Sequence, residues 1–93
     1  MSVDKQILEK ISTYSEYAIH LQRGLVAHPA VCPENGGEGE LAKAEWLQGE
    51  LAKLKFDEIK RYDAPHAKAK GGVRPNIVAR YKGTKSDRTF WIM

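Results

Sequence analysis

A single cysteine, Cys32, stands among 93 residues, so no internal disulfide can form and stabilisation has to come from packing or from further protein. Long apolar runs are missing as well. Nothing approaches the roughly 20 consecutive apolar residues of a membrane span, which excludes a transmembrane segment. The opening MSVDKQILEK is charged from Asp4 onward and has no apolar stretch ahead of a small-residue cleavage site, so no secretory signal is expected and a cytoplasmic location is. Metal ligands are few: one cysteine and the scattered His20, His28 and His66 match no zinc-finger spacing. The glycine-rich GGEGE lacks the Lys-Ser/Thr ending of a phosphate loop, and no strand precedes it.

What is present suits one small domain. Apolar residues make up 42% and charged residues 29%, ordinary values for a globular chain. At this length only somewhat more than about 60% of the unfolded surface is buried, so the core is small. The net charge of +3 is unevenly spread: Lys53 to Arg88 holds eleven bases against four acids. A basic half suits nucleic acid or an anionic ligand. Solvated lysines on strand edges account for it more simply, because edge strands carry lysine to discourage pairing with other chains.

From Ser2 to about Leu25, Val3, Ile7, Leu8, Ile11, Tyr14, Ala18, Leu21 and Leu25 recur at spacings of three and four residues. That periodicity predicts one amphipathic helix over about 2–25, with Ser2 or Asp4 as its N-cap and an exit before His28-Pro29. AHPAVCPENGGEGE (27–40) is a loop by its prolines and glycines. A second helix over about 38–54 follows from the stripe Leu41, Ala44, Leu47, Leu51 and Leu54, with Glu38 and Glu40 where the helix dipole favours acids. Gly49 inside it implies either a close neighbour or simple tolerance at a cost of about 1 kcal/mol. Strands are predicted over about 56–62, 76–82 and 88–93, the first two separated by a long turn from Asp63 to Pro75. Ile77, Ala79 and Tyr81 fall on one face of the middle strand. The last, RTFWIM, is apolar without alternation, as in a strand buried on both faces.

Such a strand belongs inside a sheet, and an open apolar edge invites aggregation. The fold class expected is therefore α/β: two N-terminal helices followed by three strands of a mixed sheet. Residues 88–93 would lie parallel to 56–62, with 76–82 antiparallel on the far side, as the incomplete start of a larger α/β domain.

The order of these pieces, GEGELAKAEWLQGELAKLKF, a charged strand, GVRPNIVARYKG and a hydrophobic strand, resembles the N-terminal part of a metallopeptidase family. That family contains acetylornithine deacetylase, succinyl-diaminopimelate desuccinylase, aminoacylase and carboxypeptidases that use two metal ions. The residues that carry the resemblance most specifically are Arg74, Pro75, Asn76, Ile77 and Val78, then Gly83. The resemblance covers essentially the whole chain. It implies a zinc-peptidase-like catalytic domain of which residues 1–93 are the N-terminal part, and hydrolysis of N-acyl amino acids or small peptides by the complete enzyme. It also implies two divalent metal ions, zinc or cobalt, held elsewhere in that enzyme, and a homodimer. In the family a His-x-Asp motif follows the strand that matches Thr89 to Met93. No catalytic, cofactor-binding or metal-binding position carries over onto residues 1–93, and the segment alone is expected to be inactive. Its partner would be the remainder of the catalytic domain, with no membrane.

The remaining chemistry-bearing side chains have structural readings. His20 is expected at or near a helix surface, His28 in a loop, and His66 solvated in a lysine-rich turn. Cys32, His28 and Glu34 lie within seven residues but lack the spacing of a structural zinc site, and His28 is the local base available to Cys32 as a nucleophile. Trp46 and Trp91 are expected to pack. In RPN the proline fixes one backbone angle and Asn76 can satisfy turn amides, which predicts a turn-making role; supporting a metal or substrate region from behind is the alternative for Arg74 and Asn76. Two further functions compete with the enzymatic one. A basic nucleic-acid module would lack an aromatic platform, since Phe56 and Tyr62 are not set in an RNA-binding signature, and nucleic acid is therefore disfavoured. An interaction subunit would pair through its exposed strand.

Overall fold

The Ser2 hydroxyl accepts the Lys5 N–H at 3.2 Å and starts α1 (Val3–Ser12). This N-cap satisfies one of the amides that a helix start leaves without an intrahelical partner. The computed structural model describes residues 2–85 and 87–93. The single helix expected over 2–25 is broken: α1 ends at Ser12 and α2 spans Ser15–Ala27. Hydroxyls cause the interruption. Ser12 and Thr13 donate to the carbonyls of Glu9 and Lys10, both at 2.7 Å, and Ser15 donates to Ser12 at 3.2 Å, so side chains compete with the helical ladder. α2 ends where expected, before Pro29, and His28 Nδ1–H donates to Gly24 O at 2.7 Å to satisfy a last-turn carbonyl.

α3 spans Leu41–Ala52. It starts later than the expected residue 38 because Gly39 takes φ +91°, outside helical space. Its N-cap, Glu40, makes no side-chain bond to the helix amides; its carboxylate is turned to Arg74 instead. A short 3₁₀ turn, Pro33–Asn35, lies in the loop before it, and a second, Lys70–Gly72, lies between the strands.

β1 (Glu58–Pro65) and β2 (Val73–Arg80) form an antiparallel pair in the register Glu58↔Arg80 to Pro65↔Val73. Both strands lie nearer the connecting turn than the expected 56–62 and 76–82, so the turn shrinks to residues 66–72. RPN consequently sits inside β2, which corrects its assignment as a turn. Ile59, Arg61, Val73, Pro75, Ile77 and Ala79 share one half-buried face, as the alternation of a strand requires, and α3 packs against β2. The opposite face exposes Lys60, Tyr62, Asn76 and Arg80. Beyond β2, Tyr81 stacks on Phe56 at 4.3 Å and donates its hydroxyl to Leu54 O at 2.6 Å. Lys82 N–H donates to Asp57 Oδ2 at 2.6 Å. These contacts fix the exit of β2 beside the start of β1.

The α/β class stands, with three α-helices and a sheet of two strands among the described residues. Residues 88–93, expected as a buried third strand, have no regular secondary structure and lie outside the sheet. Phe90 is 97% exposed, Ile92 94% and Trp91 66%. Hydrophobic periodicity reports what a segment needs, and here no neighbouring element supplies it. The expected packing role of Trp91 is corrected with it. Among the described residues the buried apolar residues are Ala44 and Ala69, at 8% and 6% exposure.

Gly24, on α2, lies against the ring of Trp46 on α3 so closely that a Cβ there would overlap the indole. The rings of His20 and His28 flank the same indole at 6.1 and 5.6 Å. Trp46 therefore packs, as expected. Gly49 has nothing within 4 Å of where its Cβ would be, so of the two readings for that glycine, tolerance is the correct one.

Candidate functional site

Two segments distant in sequence meet beside the sheet: the loop 31–40 and the turn 66–72. Within the loop, Asn35 and Gly37 both donate their amides to Cys32 O, and Gly39 donates to Val31 O at 2.9 Å. Within the turn, His66 N–H donates to Gly72 O and Gly72 N–H to Ala69 O. Lys70 N–H donates to Glu38 O at 2.8 Å and ties the two together, while the buried Ala69 methyl packs against Gly39. Arg74 adds a fork-shaped charge pair. Its Nη2 lies 2.6 Å from Glu40 Oε1, and its Nε reaches both carboxylate oxygens at 3.1 and 3.3 Å. This pair joins the start of α3 to β2, and the guanidinium holds the Glu40 carboxyl below the usual carboxylate range.

Glu34 is the centre of the cluster. One carboxylate oxygen accepts the Cys32 thiol and the other lies 3.0 Å from His66 Nε2. The thiol hydrogen bond, then the residue's own backbone amide, then His66, lower the Glu34 pKa from 4.5 to about 2. His66 is 21% exposed rather than solvated as expected, because Glu34 draws it against the loop, and its Nδ1 is buried with no partner in the structure. His28, the base expected beside Cys32, instead caps α2. Thiol and imidazole thus meet on one carboxylate and do not bond each other, so they do not form the thiol–imidazole pair that nucleophilic catalysis needs. Among the described residues no group of three or more His, Cys, Asp or Glu side chains is arranged to hold a metal ion.

The charge state of Glu34 sets a pH prediction. A carboxyl whose folded pKa lies below its unfolded value contributes stability that is present above about 4.5 and is lost as pH falls towards about 2. Thermal unfolding followed from pH 6 to 2 is expected to show a fall in midpoint across that window. Glu34→Gln should flatten part of it, and an unchanged profile in the variant would show that the carboxylate contributes nothing there. The carboxyl is largely exposed, so solvent screening keeps the effect small.

A second polar cluster joins α2 to α3. Glu50, whose side chain is 7% exposed, lies 3.3 Å from His20 Nε2 and 3.0 Å from Lys53 Nζ through one oxygen, and Oε2 has no partner in the structure. The Lys53 hydrogen bond is the main cause of its lowered pKa, with burial opposing. Nothing in the sequence marks Glu50 apart from other helical acids; its position one turn beyond Trp46 is the signal that could have. His20 stands near the helix surface as expected, with a structural partner.

Arg74 and Asn76 bond within the fold. Asn76 Nδ2 donates across the hairpin to Tyr62 O at 3.1 Å, so its amide supports a strand pair rather than a turn. Of the eleven bases between Lys53 and Arg88, five are paired with acids: Lys53, Lys60, Arg61, Lys70 and Arg74. The basic half presents less free charge than its composition implies. Among the described residues no helix is long and apolar enough to cross a membrane. No protein-family model, curated protein or solved structure matches the chain.

Proposed function

We propose that residues 1–93 form the N-terminal part of the catalytic domain of a metal-dependent amidohydrolase or peptidase that acts on N-acyl amino acids, of the succinyl-diaminopimelate desuccinylase or acetylornithine deacetylase type, or on small peptides. The observation that carries the reading is the apolar surface left without cover. Phe90, Trp91 and Ile92 are exposed together with Val3, Leu8 and Ile11, while the buried apolar residues among the described ones are two alanines, Ala44 and Ala69. A domain of this size needs a proportionately larger core, and a surrounding α/β domain would provide it. The GVRPNIVARYKG stretch, which runs from Gly72 through β2 to Gly83, supports the same reading.

The role of the segment is structural. Its helices and hairpin would position neighbouring strands, and the cytoplasmic, dimeric complete enzyme would hold its two zinc or cobalt ions on residues outside it. The described residues do not fit such a centre, since Glu34, Glu40 and Glu50 are each engaged by thiol, imidazole, guanidinium or ammonium groups. No step of the reaction is assigned to them.

The test joins the segment to the polypeptide encoded downstream. The reading frame is expected to supply a His-x-Asp motif within a few residues of Met93. The joined protein should release amino acids from N-acyl substrates when loaded with zinc or cobalt, and residues 1–93 alone should not. Hydrolysis by the 93-residue chain unaided, or a joined protein inert on every N-acyl amino acid and small peptide tried, would refute the reading.

A further inference from the structure

The hairpin has two outer edges, and only one is open along its length. In an antiparallel pair, opposite residues alternate between those that bond each other and those whose amides and carbonyls turn outward. His66 N–H donates to Gly72 O, which fixes the phase: 64/74, 62/76, 60/78 and 58/80 are the bonded pairs in the observed register. Asp57 N–H also reaches Arg80 O, as at a bulge closing the far end of the same ladder. The outward groups are then those of Val73, Pro75, Ile77 and Ala79 on β2, and of Ile59, Arg61, Asp63 and Pro65 on β1. Pro75 has no N–H and interrupts the outer edge of β2, the position proline takes on an edge strand. β1 has an unbroken run of three outward amides, at Ile59, Arg61 and Asp63. Among the described residues no strand pairs with it there.

We propose that the outer edge of β1, Ile59 to Asp63, is a strand-docking surface, and that residues Thr89–Met93 of a second copy of this chain occupy it as a parallel strand. The same chain carries both halves of the contact. Its five apolar or β-branched residues 89–93 match the five of the edge and are unpaired and exposed. Their own copy leaves β1 free, with residues 81 and 82 fastened at the start of that strand. Parallel pairing sets Arg88 beside Glu58, opposite charges in contact, whereas the antiparallel alternative sets Arg88 beside Ala64. Main-chain bonds would supply the affinity, and burial of Phe90, Trp91 and Ile92 would add to it. The inference concerns residues 1–93 as a separate chain and rests on the register and the exposure alone; where a surrounding domain covers residues 89–93, the β1 edge is not offered to a second copy.

Sedimentation of the 93-residue chain over a concentration range, combined with amide hydrogen exchange, tests it. Association is expected to rise with concentration, and the amides of Ile59, Arg61 and Asp63 should exchange at least tenfold more slowly in the associated form, while those of Ile77 and Ala79 do not change. Trp91→Lys lies outside the folded elements and leaves the fold intact; it should weaken association at least tenfold. Arg61→Pro removes one outward amide without touching the β1–β2 bonds and should do the same. A chain that stays monomeric at millimolar concentration overturns the proposal. So does association in which the β1 amides stay unprotected.

Discussion

Gly24→Ala is expected to destabilise the chain even though alanine is the better helix former. In a helix interior the exchange gains up to about 1 kcal/mol. Here the new methyl would overlap the Trp46 indole, which belongs to another helix and is flanked by His20 and His28. Overpacking of this kind costs about 1–3 kcal/mol, because a large ring must leave its rotamer or α2 must move away from α3. The overlap outweighs the propensity, for a net loss of up to about 2 kcal/mol. In a domain of this size each kcal/mol lowers the melting midpoint by about 4–8 °C. Thermal unfolding by circular dichroism reads the shift, and tryptophan fluorescence in a Trp91→Phe background reports the displaced Trp46 indole. The test of mechanism is the double variant: with Trp46→Leu in place, Gly24→Ala should become neutral or stabilising. If the glycine variant instead loses the same stability with or without the indole, close approach is not the cause.

Gly37→Ala is expected to have the other large effect, confined to the loop 31–40. A Cβ at position 37 would overlap the Val31 carbonyl oxygen and Cβ, mostly main chain rather than the yielding tip of a side chain. The loop must open to relieve it. Doing so breaks the bond from Gly37 N–H to Cys32 O and carries Cys32 and Glu34 away from His66. The cost is set by the same overpacking scale, about 1–3 kcal/mol, with the larger end expected because the obstacle includes backbone. Alkylation of Cys32 by iodoacetamide should accelerate several-fold in Gly37→Ala relative to the parent, and the fall in stability from pH 4.5 to 2 should shrink, since Glu34 loses the partners that lower its pKa. Unchanged alkylation and an unchanged pH profile would mean that the loop accommodates the methyl without opening. The helices sit outside this loop, so far-UV circular dichroism should keep its helical content in either case.

The two glycines show where sequence information ends. Gly49 stood out because it interrupts an otherwise periodic helix, yet it faces open space; Gly24 lies near the end of the helix expected over about 2–25 and is the position on which α2 and α3 close. Local pattern records that a residue is unusual for its element. What a missing Cβ makes room for is set by another element, and no spacing within α2 encodes the Trp46 ring. The same holds for charge. Glu34, Glu40 and Glu50 are ordinary acids in sequence, and their partners His66, Arg74 and His20 lie 32, 34 and 30 residues away.

What the sequence determined by itself was local: an N-cap at Ser2 or Asp4, of which the structure uses Ser2, the exit of α2 before Pro29, the apolar stripe of α3, and two strands separated by a glycine turn. These depend on steric limits and hydrogen-bonding groups within a few residues, so short-range pattern suffices. The break after α1 is local too, made by the hydroxyls of Ser12 and Thr13, but the apolar periodicity runs through it and conceals it. The tertiary structure alone decided that α2 and α3 would close on Gly24, that RPN would fall within β2, and that residues 88–93 would find no neighbour. An apolar run becomes a strand only when another main chain offers the matching bonds and another surface takes its side chains. Within these residues β1 has that edge and the last segment does not reach it, because pairing is a property of two strands and periodicity a property of one.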